Sequence, residues 1–246
     1  MTMKGKLVNE KTLELNITHE GLDIAGFGAF GFTQHQESKI GGDVLFAFPT
    51  PFILQYKAAK SGLDGTRARF RINNNKRKNQ HQALDAIAKS GICGAFYMFP
   101  LIISNNFLTT NFNNLLNFTC MIDASLLTGN LNWVNQAHSV IVDQNCQFIV
   151  KSEGKVEGEG FPAKSFFKGL IERYRTEIRE EHPSDYIRDL IGRLNEVVKE
   201  AQVYGESEHT LLILGSDVRR KQMGYIQLPI RIQGLKERRN KPFEFR

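Results

Sequence analysis

The sequence predicts a mixed α/β domain of the α+β kind, and three observations carry that prediction. Two short apolar runs, residues 44–48 (VLFAF) and 52–56 (FILQY), flank Pro49-Thr50-Pro51. Proline lacks the N–H that a ladder needs, so the triplet marks a turn and the runs read as a hairpin of mostly buried strands. Residues 67–72 (RARFRI) alternate charged and apolar side chains, the pattern of a half-buried strand. Residues 80–90 carry Ala83, Leu84, Ile87 and Ala88 at helical spacing and stop at Gly91, before an apolar strand over residues 92–103.

The flanking segments are read in the same way. Leu13, Leu15 and Ile17 alternate as in a strand, whereas Leu13, Ile17, Glu20 and Ile24 suit a helix, and the pattern leaves both open. Residues 104–150 are rich in Asn and aromatics, with short β-like stretches at 139–142 and 147–150. The polar, Gly-rich KSEGKVEGEG at 151–160 is the best linker candidate. Helices are expected over 165–181 and, after His182-Pro183, from a Ser184 or Asp185 cap to Gly205. The apolar stripe of the second runs through Tyr186, Ile187, Leu190, Ile191, Leu194, Val197, Val198 and Ala201. The expected organisation is a core over 1–155, including a β-rich extension at 104–150, and a C-terminal helical region over 156–246 packed on it. Those helices also offer a face to a protein partner or to a second copy of the chain.

Composition narrows the partners. With 32 Lys and Arg against 26 Asp and Glu, the 246-residue chain carries +6, a surplus that attracts polyanions such as nucleic acid. Cys93, Cys120 and Cys146 form no C-x-x-C, and the start, MTMKGKLVNEK, does not have the form of a secretory leader. Three reduced thiols in a cytoplasmic protein is the expectation. The longest apolar run, residues 95–103, contains Pro100 and is too short to span a bilayer, so no membrane role is expected.

The informative constellation is Asp43-(eleven residues)-Gln55-Tyr56-Lys57. If the hairpin pivots at Thr50, Asp43 faces Lys57 and Leu45 faces Gln55, with Gln55 and Lys57 on one face. A carboxylate, an amide and an amine would then converge on an otherwise apolar element. Phosphodiester hydrolysis uses such a set: Mg²⁺ (or Mn²⁺) on oxygens of Asp43, Gln55 and the Tyr56 carbonyl, with Lys57 steering water and the phosphate charge. A plain Asp–Lys ion pair at a sheet edge is the structural alternative. Arg67, Arg69 and Arg71 share one strand face, and Lys76, Arg77 and Lys78 extend it, a candidate track for a phosphate backbone.

These residues resemble the PD-(D/E)xK, or restriction-endonuclease-like, nuclease superfamily, in its Gln-x-Lys form. The resemblance covers residues 14–103. It implies a core of helix, three strands, helix and strand: a mixed central sheet flanked by helices, here with a helical C-terminal part. It further implies a Mg²⁺-dependent endonuclease acting on DNA, such as a prokaryotic defence or restriction effector. The family draws a further acid from its first helix or strand, for which Glu37 is the first candidate, with Glu14 and Glu20 behind it. Gln80 and His81, at the start of the next helix, are candidates for contact with the phosphate or metal. Gln55 in place of an acid removes a negative charge, so a catalytically weak subunit that binds nucleic acid or a partner is the alternative. The Gly26-x-Gly28-x-x-Gly31 string matches a dinucleotide fingerprint but lacks the strand before it and the helix after it.

Overall fold

The computed structural model describes residues 7–25, 29–46, 51–63, 66–73, 79–129, 131–133, 136–152, 154–174 and 183–204. Gly26 and Gly28, the Pro49-Thr50 turn, Lys76, Arg77, Lys78 and the basic tail beyond residue 204 lie outside the described residues. In chain order the elements are α1 (Glu10–Ala25), β1 (Ala29–Gly31), α2 (Gln34–Ile40), β2 (Val44–Phe46), β3 (Phe52–Tyr56), β4 (Ser61–Leu63), β5 (Arg67–Asn73), α3 (Gln80–Ser90) and β6 (Gly94–Pro100). There follow α4 (Asn105–Thr110), a 3₁₀ turn (Leu115–Phe118), β7 (Thr119–Asp123), α5 (Ala124–Thr128), β8 (Ala137–Asp143), β9 (Gln147–Lys151), β10 (Lys155–Glu159), β11 (Phe161–Pro162), α6 (Ala163–Tyr174) and α7 (Pro183–Tyr204). The expected α+β class is what the chain adopts.

Two sheets organise these elements. The first has the order β1-β2-β3-β6-β7-β11, and all its neighbouring strands run antiparallel except β3 and β6, which are parallel. A parallel pair needs a crossover, and α3 supplies it. The second sheet has the order β10-β9-β8-β5-β4, wholly antiparallel. Strand β3 is central and buried along its length, so both its faces are apolar. Phe52, Leu54 and Tyr56 pack into a core with α1 and α6, through Leu13, Ile17 and Phe167. Ile53 packs on the opposite side with Leu84 and Ile87 of α3 and Leu190, Leu194 and Val198 of α7. The inner face of the second sheet closes that same core through Phe70, Val140, Val142 and Phe148.

Helix α1 settles the ambiguous N-terminal segment: Leu13 and Ile17, one turn apart, are fully buried while Leu15 is exposed, whereas a strand would put all three on one face. The expected linker at 151–160 is instead the β9–β10 hairpin, in which Lys151 pairs with Lys155 and Val150 with Val156. β11 joins the first sheet, and α6 packs on α1 while α7 packs on α3. The described residues therefore all fall within one compact unit, 1–204. The C-terminal helices are layers of the core, not an annex behind a linker.

The cysteine expectation is corrected. Cys120 of β7 and Cys146 of the β8–β9 turn form a disulfide with a Cα separation of 5.4 Å, and only Cys93, buried, is a free thiol. The pairing joins the first sheet to the second, a proximity that exists only once both are packed.

Candidate functional site

The site begins with two glycines. Helix α2 opens with a capping box, in which Thr33 and Gln36 exchange side-chain and backbone hydrogen bonds, and it closes at Gly41 in the left-handed region at φ 86°. A Cβ on Gly41 would lie 2.5 Å from the Gln80 carbonyl oxygen, and one on Gly42 would lie 2.0 Å from Ile53 Cγ2. The chain thus leaves α2 squeezed between the first turn of α3 and strand β3, and this delivers Asp43 to the sheet. A Gly42→Ala variant is expected to lose about 1–3 kcal/mol of stability through forced overpacking, read as a lower urea midpoint. An unchanged midpoint would show that the approach is not that close.

The hairpin register differs from the expected one. Val44 pairs with Leu54, Leu45 with Ile53 and Phe46 with Phe52. Continued by one residue, the register sets Asp43 across from Gln55, not from Lys57. Pairing pivots about Pro49 instead of Thr50, and moving a pivot by one residue shifts the register by two. A shift of two preserves faces. Asp43, Gln55 and Lys57 therefore still share the side of the sheet that carries Leu45, Ile53 and α3.

Asp43 Oδ2 accepts a hydrogen bond from Gln55 Nε2 at 2.7 Å and one from the Tyr56 backbone N–H at 2.8 Å. Gln55 Nε2 also donates to the Tyr56 carbonyl at 3.0 Å. Gln80 Nε2 donates to Gln55 Oε1, and Lys57 Nζ donates to Gln80 Oε1 at 3.2 Å. Asp43, Gln55 and Lys57 are only 9%, 1% and 7% exposed, while Gln80 and Glu10 beside them are half-buried. The simple Asp43–Lys57 ion pair does not form; two amides stand between the charges.

Helix α1 completes the surroundings. Glu10, Glu14 and Thr18 recur at a spacing of four and so line one stripe of the helix. Thr18 Oγ1 is 2.9 Å from the Tyr56 hydroxyl, and Glu10 accepts from the Ala58 N–H at 3.1 Å and lies 3.7 Å from Lys57 Nζ. Glu14 sits between them on that stripe and holds Lys11 at 2.6 Å. Burial pushes the Asp43 carboxyl up to about 7; Lys57 and the Tyr56 N–H oppose this, and the nearby Glu14 and Glu10 add to it.

The structure thus brings Asp43, Gln55, Tyr56, Lys57 and Gln80 together. Glu37, on α2, makes no hydrogen bond to this cluster, though its field reaches Lys11, as that of Asp43 does. Glu20 is committed elsewhere, accepting from the Leu115 and Leu116 N–H groups at 2.6 and 3.2 Å at the 3₁₀ turn. Glu10 was missed; its signal was its place one helical turn before Glu14. Arg67, Arg69 and Arg71 do share the exposed outer face of β5, with Arg67 opposite Asp143 on β8.

His81 is a correction. It lies one residue beyond Gln80 yet points into the core, 1% exposed, with ring contacts to Trp133 at 3.6 Å and ring nitrogens near Tyr97 Oη (3.3 Å) and Thr128 Oγ1 (3.1 Å). One helical step turns a side chain by about 100°, enough to pass from the half-buried position of Gln80 into the core. Burial lowers its pKa to about 3, with the fields of His138 and Lys89 acting in the same direction. An unfolded imidazole protonates near 6.5, so the folded state loses stability as pH falls from there toward 3. The stability advantage of the parent over His81→Gln is expected to narrow by up to about 1.4 kcal/mol per pH unit between about pH 6 and 4. A gap constant with pH would count against a neutral buried ring.

Two oxygens, the Asp43 carboxylate and the Tyr56 carbonyl, converge on one hydrogen-bearing nitrogen of Gln55. These are the oxygens that a divalent cation could use, with Glu10 and Glu14 of α1 nearby and the Lys57 ammonium opposing them. Among the described residues, no three His, Cys, Asp or Glu side chains are grouped to hold a metal ion. A cation here would therefore rest on one carboxylate, a carbonyl, an amide oxygen and water. No helix of the described residues is long and apolar enough to cross a membrane. Comparison with protein-family models, curated proteins and solved structures gave no match.

Proposed function

We propose that the protein is a divalent-metal-dependent nuclease hydrolysing phosphodiester bonds, with DNA as its first candidate substrate. The observation that carries the reading is the convergence of Asp43, Gln55 and Lys57 at the adjoining ends of β2 and β3, closed by Gln80 and flanked by Glu10 and Glu14. The order of elements supports it: α1, the antiparallel β1-β2-β3, α3, then β6 parallel to β3 follows helix, three strands, helix and strand, although residues 67–72, expected from the sequence as the third strand, form β5 of the second sheet and β1 takes that place. Asp43 and the Tyr56 carbonyl would hold Mg²⁺ or Mn²⁺, with Gln55 turned to offer its oxygen. Bound there, the ion supplies Lewis-acid charge and orients water. Lys57 presents a fixed positive charge to the phosphate. Lys60, three residues on, donates its backbone N–H to the Arg69 carbonyl at 2.7 Å, so β5 follows closely on the site along the chain, and its exposed arginine row would be the candidate to carry flanking phosphates.

Purified protein with plasmid and Mg²⁺ or Mn²⁺ is expected to cut the DNA. EDTA is expected to stop the cutting, and Lys57→Ala to slow it by about 10²-fold or more. Cutting that persists in EDTA or in Lys57→Ala would remove the basis of the proposal. One observation favours a second reading, a nuclease-fold subunit that binds without cutting: Gln55 meets Asp43 with its amide nitrogen, and the cluster is nearly closed to solvent. Salt-dependent binding with no cutting under any metal would select it.

A further inference from the structure

Asp43, Gln55, Gln80 and Lys57 form a continuous line of hydrogen bonds, flanked by the Tyr56 backbone, whose N–H donates to Asp43 and whose carbonyl accepts from Gln55. Asp43 Oδ2 accepts from Gln55 Nε2, Gln55 Oε1 accepts from Gln80 Nε2, and Gln80 Oε1 accepts from Lys57 Nζ. A carboxylate only accepts and an ammonium only donates, so the two ends dictate which way each amide faces. Each amide has one accepting and one donating end, so neither can turn alone without setting like against like. Gln80 is held by its backbone, against which Gly41 packs with no room for a Cβ. Its side chain is half-buried, and its amide is the link between Gln55 and Lys57.

We propose that Gln55 and Gln80 are a two-amide relay through which a divalent cation at Asp43 releases Lys57. The inference rests on the metal-site reading above and goes beyond it by giving Gln80 a positioning role. The Gln55 –NH₂ group lies between the Asp43 and Tyr56 oxygens, where a cation would be drawn. With a cation held there, the Gln55 –NH₂ group would be repelled and the rotated amide, with Oε1 inward, would be favoured. Gln55 then offers Nε2 to Gln80, and Gln80 must answer with Oε1. The Gln80 –NH₂ group now meets the Lys57 ammonium, donor against donor, and the contact is lost. Lys57 is left with Glu10 at 3.7 Å and with whatever phosphate has entered. Before the cation arrives, Gln80 keeps the ammonium engaged and away from Asp43, so the lysine does not close the site as an internal ion pair.

The test is NMR on the full ¹⁵N-labelled chain, titrated with Mg²⁺ alone. The Tyr56 backbone amide, which donates to Asp43, reports binding. The side-chain –NH₂ resonances of Gln55 and Gln80 are expected to move with the same midpoint, and the Lys57 ¹⁵Nζ resonance with them. In Gln80→Met, with Gln80→Ala as a second variant should the first not fold, Gln55 still moves but the Lys57 response falls to under about a fifth of the parent's. If Lys57 responds in both variants as it does in the parent, the cation acts on it directly and the relay is overturned. A Tyr56 shift with both amides unmoved overturns the relay and leaves the metal site standing. No shift at any of these positions overturns both.

Discussion

An Asp43→Asn variant is expected to lose metal-dependent cleavage by about 10²-fold or more and yet to be more stable than the parent at about pH 8. The activity falls because the carboxylate that meets Gln55 and Tyr56 is gone. The stability rises for a separate reason. Burial lifts the Asp43 carboxyl from 3.8 to about 7. The folded state therefore favours the protonated acid more than the unfolded chain does. That contribution is complete below pH 3.8 and is lost as pH rises through about 7. Across that window the unfolded chain gains the ionised form first, and the fold loses up to about 1.4 kcal/mol of stability for each pH unit. Asparagine stays neutral, and its oxygen can still accept from Gln55 and the Tyr56 N–H. Melting curves at about pH 8 and pH 4 provide the test: the variant's advantage should be large at the first and vanish at the second. Mg²⁺ should raise the parent's melting temperature at the higher pH and leave the variant's unchanged. An Asp43→Asn protein less stable than the parent under those alkaline conditions would contradict the burial argument.

The second large effect concerns the Cys120–Cys146 disulfide. It closes a loop across a sequence separation of 26 residues. The chain-entropy relation gives roughly 3 kcal/mol for a loop of that size. Reduction, or Cys146→Ser, is expected to cost that order of stability, read as a drop in urea midpoint, with a steeper slope because the unfolded chain is no longer cross-linked. Thiol counting on the unfolded, unreduced protein should find Cys93 alone reactive. Three reactive thiols would mean that the two sheets are held together by packing without the covalent tie.

Much of the fold was written locally. Helix α3 was readable to its ends because Ala83, Leu84 and Ile87 mark one face and Gly91 supplies the left-handed stop. Strand β5 was readable because its alternation of Arg with Ala, Phe and Ile follows the pleat directly. The hairpin was readable, but not its register, since Pro49 and Pro51 both punctuate and one residue of ambiguity in the pivot moves every partner by two. Gln55 and Lys57 were legible as a pair on one face, whereas the amide bridge through Gln80 depends on how α3 crosses the sheet. The acids divided for the same reason. Glu37 looked nearest in sequence, yet α2 turns it aside, while Glu10, 47 residues before Lys57, is carried back to it by helix packing. His81 and the cysteine pair were illegible because each is defined by neighbours from distant segments: Trp133 and Thr128 for one, the second sheet for the other.

The two sheets are interleaved along the chain. β4 and β5 are inserted between β3 and α3, yet the strand that covers the far edge of β5, β8, begins only at Ala137. A growing polypeptide therefore holds every member of the Asp43–Lys57 cluster long before it can cover the arginine-bearing strand beside it. Until β8 and β9 have been synthesised, β5 is an open edge of backbone donors and acceptors, the kind of surface that pairs with strangers. Fragments ending before residue 137 should for this reason aggregate.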